Sequence, residues 1–298
     1  MLALCAGSVG VPKSALAVEP WANGKLPVRA GLVVWLDPSA EKQARQQREL
    51  PALADADPVA ILHDASGNRH DVVQENPPAR PRIRIDGRRA FVQFDGRATS
   101  LAWTGPLKSF REATIIVAAA PHDNPGDFTA LLAMNANDVN DYVSGLNIDQ
   151  GPWPSEQFEV VNFEGAGFGG VQNLKQGRTP FSKLHRIGLT TAPGSGATAL
   201  YVNGQAAGQR ERQDQPIRME RLTIGARFYA HGQPPQTCGF LHGEIAEVLI
   251  YDRVLTADEL AAVDRYLVDK FGELRDVPAP PPAAGTKPLV RVADPPPV

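Results

Sequence analysis

Short apolar runs, each broken by Gly, Asn, Asp or Pro, recur along most of the chain and set its expected architecture. Gly31-Leu-Val-Val-Trp-Leu-Asp37 is a compact apolar strand stopped by Pro38, which places the start of the folded domain close to residue 30. Ala40 to Leu50 (AEKQARQQREL) holds strong helix formers and no breaker, and its polarity predicts a short surface helix inserted between strands. Val59–Leu62 reads as a strand, and Asp64-Ala-Ser-Gly-Asn68 as a turn. Arg82–Ile85 alternates charged and apolar residues, turns at Asp86-Gly87, and returns as Ala90–Phe94, the pattern of a hairpin. Thr114 to Ala120 is an unbroken β-branched and small apolar run, as expected of a strand covered on both faces. Further strands are predicted over 128–134, 143–148, 157–163, 185–191, 197–202, 221–224 and 243–251. Many short strands with turn residues between them predict an all-β, two-sheet antiparallel sandwich.

One helix closes this pattern. Thr256-Ala-Asp-Glu259 is a capping box, Leu260, Val263, Leu267 and Phe271 form an apolar stripe, and Gly272 ends the helix. The domain is therefore assigned to 30–273, followed by a proline-rich tail at 274–298 suited to a linker. At the other end, the apolar run Leu2–Val11 and the A-x-A sequence Ala15-Leu-Ala17 predict an export signal over 1–17, with a leader over 18–29. Lys13 follows the apolar run instead of preceding it, so the basic region of an export signal is missing; a start upstream of Met1 is one explanation, and a disordered leader is the alternative reading of the segment.

Composition narrows the function classes. Hydrophobic residues make 43% and charged residues 21% of the 298, enough for a real core. A formal net charge of -3 gives no basic face for nucleic acid. No stretch approaches the ~20 apolar residues that span a bilayer. The two cysteines, Cys5 and Cys238, would leave one free thiol after export, and neither zinc-ligand spacing nor a CxxC pair is present.

Several of these segments, read in order, resemble a known family. Gly31–Asp37, His63-Asp-Ala-Ser-Gly-Asn68, Ala90-Phe-Val-Gln-Phe-Asp-Gly96, Leu200-Tyr-Val-Asn-Gly204 and Gly243–Arg253 with the closing helix are similar to the laminin-G-like (concanavalin A-like lectin/glucanase) jelly-roll domains of secreted bacterial proteins. The resemblance implies a jelly-roll sandwich, often with calcium or carbohydrate at a loop rim, and it implies no particular activity. Each motif also has an architectural reading: Gly67 and Asn68 tolerate left-handed backbone, and Asn203-Gly204 is a preferred hairpin turn. Strict alternation along the Gly243–Tyr251 strand would put Glu244 and Glu247 on opposite faces. Glycosidases that share the fold carry E-x-D-x-x-E on one strand. Here Ala246 and Leu249 stand where the second and third acids should be, which argues against that catalysis.

Two segments carry candidate chemistry. Asn135, Asn137, Asp138, Asn140 and Asp141 crowd hard oxygen donors of the kind Ca²⁺ takes, although the spacing is not an EF-hand and a solvated Asx-rich loop is the alternative. Beyond them, Asn147, Asp149, Trp153 and Glu164 combine an aromatic ring set between prolines with amides and carboxylates, which is how proteins bind sugars. Trp153 at the edge of a core is the alternative there. The glycine stretch Glu164–Gly170 matches G-x-G-x-x-G literally, but no βαβ unit surrounds it, and Phe168 reads as a cover on the sheet. Six histidines (63, 70, 122, 185, 231 and 242) show no ligand spacing, and His63 and His70 are expected to be exposed beside their turn. The sequence thus predicts a non-catalytic, secreted or periplasmic binding module for a glycan or cell-surface component. A structural domain spacing a partner, and a glycoside hydrolase or lyase, are the alternatives.

Overall fold

The computed structural model describes residues 17–231 and 233–273. Residues 1–16 of the predicted export signal and all of the tail lie outside them. In chain order the strands are β1 (Leu32–Leu36), β2 (Ile61–Leu62), β3 (Val72–Val73), β4 (Arg82–Asp86), β5 (Arg89–Asp95), β6 (Leu101–Phe110), β7 (Ala113–Pro121), β8 (Ala130–Asn135), β9 (Leu146–Asp149), β10 (Asn162–Gly165), β11 (His185–Thr191), β12 (Gly194–Val202), β13 (Gln205–Arg212), β14 (Ile217–Ile224), β15 (Arg227–Tyr229), β16 (Gln236–Cys238) and β17 (His242–Tyr251). Three α-helices join them: α1 (Glu41–Gln47), α2 (Asp141–Ser144) and α3 (Ala257–Phe271). One antiparallel sheet runs β13-β12-β11-β7-β17-β5-β4, with β1 also on β17, and the other runs β10-β9-β8-β14-β6-β3-β2. β15 and β16 form a separate two-stranded hairpin.

Alternation along the strands explains why two layers are not the whole fold. In β7, Ile115, Val117 and Ala119 face the core between the sheets, while Ile116, Ala118 and Ala120 face a second apolar layer. That second layer is built from Trp35, Tyr251 and the buried side of α3, where Val263, Leu267 and Phe271 pack. Each such side chain contributes about 1.5–3 kcal/mol when fully buried. The expected capping box is formed: Thr256 accepts from the Glu259 amide and Glu259 accepts from the Thr256 amide. The Asn203-Gly204 turn has φ of 53° and 79°, as that hairpin requires.

Four local expectations need correction. Residues 141–144 are a helical turn and only 146–149 a strand, because Gly145 sits where any Cβ would meet the Met134 backbone and the chain must break there. The strand expected over 157–163 is mostly irregular, with β10 starting at Asn162. His63 and His70 are buried instead of exposed: His63 Nδ1 lies 2.9 Å from Glu41 Oε1, and His70 Nδ1 lies 2.9 Å from the Val33 carbonyl oxygen. Finally, a bulge between Ile245 and Glu247 resets the alternation of β17. Ile245 and Val248 both face the inter-sheet core, so Glu244 and Glu247 share the outer face. Neither is open there. Glu244 accepts from Gln93 Nε2 at 2.9 Å, and Glu247 accepts from Trp35 Nε1, Tyr266 Oη and Lys270 Nζ.

Candidate functional site

The second sheet turns Leu146, Ile148 and Phe163 into the core, so the intervening residues of β9 and β10 face outward. Their register sets Asn162 opposite Asp149, and Glu164 opposite Asn147. Sugar-binding residues on such a face would be expected to meet solvent. They do not, because the β15–β16 hairpin and α2 close over them. Gly225 makes that crossing possible: its φ is 76°, and a Cβ there would run into the Phe94 ring.

The hairpin delivers Arg227 into the polar patch. Its Nε and Nη2 donate to the two oxygens of Asp141 at 3.1 and 2.7 Å. Its Nη1 donates to Asp149 Oδ2 at 3.0 Å and to Glu164 Oε2 at 2.9 Å. The guanidinium also lies 4.9 Å from the Phe128 ring centroid and 4.5 Å from that of Tyr229. Asp141 further accepts from the Phe228 amide and from Asn147 Nδ2, while Asp149 accepts from the Gly151 amide and Asn162 Nδ2. Burial pushes the Asp149 carboxyl up to about 7, against the downward pull of Arg227. Arg227 is held above the usual arginine range by Asp141 and the other two acids, despite its own burial. The arrangement is an internal ion cluster that pins α2 and the hairpin to the sheet.

These contacts correct two expectations. Asn147 and Asp149 are fully buried and Glu164 nearly so, each serving Arg227 or its partners rather than an outside ligand. The oxygen-rich stretch does not fit Ca²⁺ either. Its one buried carboxylate, Asp141, is taken up by the guanidinium, which supplies the positive charge a metal would have brought. Asn140 is tied to Tyr142 Oη and to the Ala230 backbone. Asn137 and Asp138 are exposed at the turn, where the Asn137 amide donates to Glu220. Asn135 is buried, with Nδ2 donating to the Ala136 carbonyl oxygen. Among the described residues no group of three or more His, Cys, Asp or Glu side chains could hold a metal ion. Arg227 is the residue that sequence reasoning missed. No motif surrounds it, and its partners lie 63 to 86 positions away.

Trp153 is placed differently. It is 70% exposed, more than any other large apolar side chain among the described residues. Its backbone is nonetheless fixed: Asn124 Nδ2 donates to the Trp153 carbonyl oxygen at 3.1 Å and to that of Gln150 at 3.0 Å, and the Phe128 amide donates to the Gly151 carbonyl oxygen at 2.9 Å. Pro152 and Pro154 stiffen the loop further. The 122–128 and 150–157 loops together form one rim of the sandwich. A rigid backbone presenting a bare indole can stack the apolar face of a sugar ring at small entropic cost. On a different side of the molecule, a recess of about 800 Å³ lies beside α1 and the β4–β5 hairpin, lined in part by Lys42, Arg88, Arg89 and Ile85. None of the expected site residues reaches it.

A family model described as the concanavalin A-like lectin/glucanases superfamily matches residues 95–261. The trypomastigote decay-accelerating factor of Trypanosoma cruzi is 39% identical over 61 residues, a stretch covering 20% of this chain and 62% of that protein. This chain thus spans less than two thirds of that relative. A Trypanosoma rangeli sialidase solved with sialic acid superposes with a TM-score of 0.53 at 15% identity, over 84% of this chain and 35% of that one. Domain 4 of a GH43 extracellular arabinanase from Geobacillus stearothermophilus, solved with arabinotriose, gives 0.50 at 12% identity over 78% of this chain and 98% of that one. At these identities the two structures bear on the fold alone.

Proposed function

This chain belongs to the concanavalin A-like lectin/glucanase superfamily, and on that premise we propose that it is a non-catalytic, exported carbohydrate-binding module whose contact residue is Trp153. The observation that carries this reading is the indole's 70% exposure on a loop whose backbone is pinned by Asn124. A single exposed apolar side chain is ordinary on a protein surface; what supports the reading is that this one is an indole, whose flat apolar face can stack on a sugar ring, held on a fixed backbone. The arabinanase domain, seen with arabinotriose, is a fold neighbour for which a saccharide ligand is on record. Export is supported by the Leu2–Val11 run and the Ala15-Leu-Ala17 sequence.

The non-catalytic part of the proposal rests on where the acids are. Glycoside hydrolysis needs two carboxyls facing one open cleft, about 5–5.5 Å or 6.5–9.5 Å apart. Asp141, Asp149 and Glu164 are bonded to Arg227, Glu244 is buried beside Gln93 of the neighbouring strand, and Glu247 is buried under Trp35, Tyr266 and Lys270. A polysaccharide and glycan array probed with the full chain tests the reading. Binding to at least one saccharide, abolished in Trp153→Ala, is expected. Retention of that binding in the variant, or hydrolysis of the bound glycan, would contradict it.

A further inference from the structure

Folding gathers a set of side chains that the proposed site does not employ. His122 follows the end of β7, and His242 opens β17 beside it; the His122 amide donates to the His242 carbonyl oxygen at 2.9 Å. The two imidazole centroids are 5.3 Å apart, with ring planes at 67°. Each ring has its Nδ1 engaged by an oxygen: His122 Nδ1 lies 2.8 Å from Ser182 Oγ, and His242 Nδ1 lies 2.7 Å from Asp123 Oδ2. With Nδ1–H donating to these oxygens, the lone pair of each ring resides on Nε2. His122 Nε2 is buried and has no hydrogen-bond partner, and Asp123 Oδ1 is in the same condition.

That pattern is the outer shell of a metal-binding histidine. Ligating imidazoles usually donate their other N–H to a carboxylate, hydroxyl or carbonyl, which fixes the tautomer and turns the free nitrogen toward the ion. With metal–nitrogen bonds of about 2.0–2.1 Å at a tetrahedral angle, two ligating rings have centroids roughly 5 Å apart. We propose that His122 and His242 form a two-imidazole site for a divalent transition ion such as Zn²⁺, Ni²⁺ or Cu²⁺, with Ser182 and Asp123 as the positioning residues. Imidazole donors select this class over Ca²⁺ or Mg²⁺. Because the described residues supply no group of three His, Cys, Asp or Glu ligands, the remaining positions fall to water or to a ligand oxygen. The side chains of His242 and Asp123 are 29% and 44% exposed, which leaves an entry path.

Charge and protonation are compatible with this role. Burial, then the neighbouring His242, lowers His122 to about 4, while Asp123 pulls the other way and Arg84 adds to the lowering. Arg84 is a like charge near His122, and Asp123 offsets it.

The test uses the full chain without a polyhistidine tag, titrated calorimetrically with ZnCl₂ and with CuCl₂, and the copper form examined by electron paramagnetic resonance. One equivalent should bind with hyperfine coupling from two imidazole nitrogens. His242→Gln, at a side chain 29% exposed, should weaken binding at least tenfold, and Ser182→Ala should weaken it less. His231→Gln, which alters an exposed histidine elsewhere, should leave binding unchanged. Wild-type affinity in His242→Gln, coupling from a single nitrogen, or loss of binding in His231→Gln would each overturn the proposal. Glycan binding through Trp153 is read separately on the array, so either claim can fail without the other.

Discussion

Trp153 and Arg227 represent opposite solutions to placing a large side chain at the same end of this sandwich. The indole gains little from the protein and is left bare, so its removal should be nearly free of structural consequence. Trp153→Ala is expected to change unfolding free energy by less than about 0.5 kcal/mol while eliminating saccharide binding, measured by urea denaturation beside the array. Arg227 is the reverse. Replacing it with Met would strand Asp141, Asp149 and Glu164 without their cation, and a buried pair broken in this way costs about 3–5 kcal/mol. Arg227→Lys should recover part of that loss but not all, because an ammonium cannot span both oxygens of Asp141. A loss below about 1 kcal/mol in Arg227→Met would show that the cluster does not hold the hairpin. Sequence reasoning found the acids and amides of this cluster and drew from them a calcium loop and a sugar contact. The error is physical in origin. A run of oxygen donors signals that positive charge is needed nearby, and it cannot say whether a metal or a distant arginine provides it.

At the scale of elements, legibility followed how local the determinants are. The β4–β5 hairpin, the Asn203-Gly204 turn and the α3 capping box were all readable, since each is decided by residues within a few positions of one another. Thr256→Ala should cost about 1 kcal/mol by removing one of the two cap bonds, measured as a lowered thermal midpoint. An unchanged midpoint would mean that packing alone holds the helix. The β17 bulge was not readable. Alternation assigned Glu244 and Glu247 to opposite faces, but the extra residue opposite β7 exists only once β7 and β17 pair across the sheet. The β15–β16 hairpin escaped notice for the same reason, being too short to show a periodicity and defined by what it covers.

For the whole molecule, the buried titratable groups set how stability depends on pH. Burial raises Asp149 and Glu244 to about 7, and raises Glu247 in the same direction. Unfolded, such carboxyls titrate near 4. Between these values the folded state holds more protons than the unfolded one. Their contribution is therefore complete at low pH and is lost as pH rises through about 7. His122 and His185, lowered to about 4 chiefly by burial, act oppositely: their contribution is present above about 6.5 and is lost as pH falls toward 4. Between pH 6.5 and 8 the histidines have only the end of their rise left while the three carboxyls are still being lost, so the thermal midpoint should fall over this interval, and Glu244→Gln should flatten part of that fall. A midpoint that rises over this interval would contradict the assignment. Excess CaCl₂ should leave the midpoint where it is, whereas a folded-state ligand at a hundredfold over its Kd would add about 2.7 kcal/mol. A calcium-dependent rise would reopen the Asn135–Asp141 stretch as a metal loop.

The central claim is that this sandwich presents Trp153 to a saccharide. The sequence contains four tryptophans, and among them Trp35 is fully buried while Trp153 is the bare one. A ¹H–¹⁵N spectrum of the chain, with the indole signals assigned through Trp153→Phe, can be followed while the array's best saccharide is titrated. The account predicts that the Trp153 indole N–H shifts in a saturable manner and that the Trp35 signal stays in place. A saturable response at other signals, with the Trp153 indole unmoved, would contradict it.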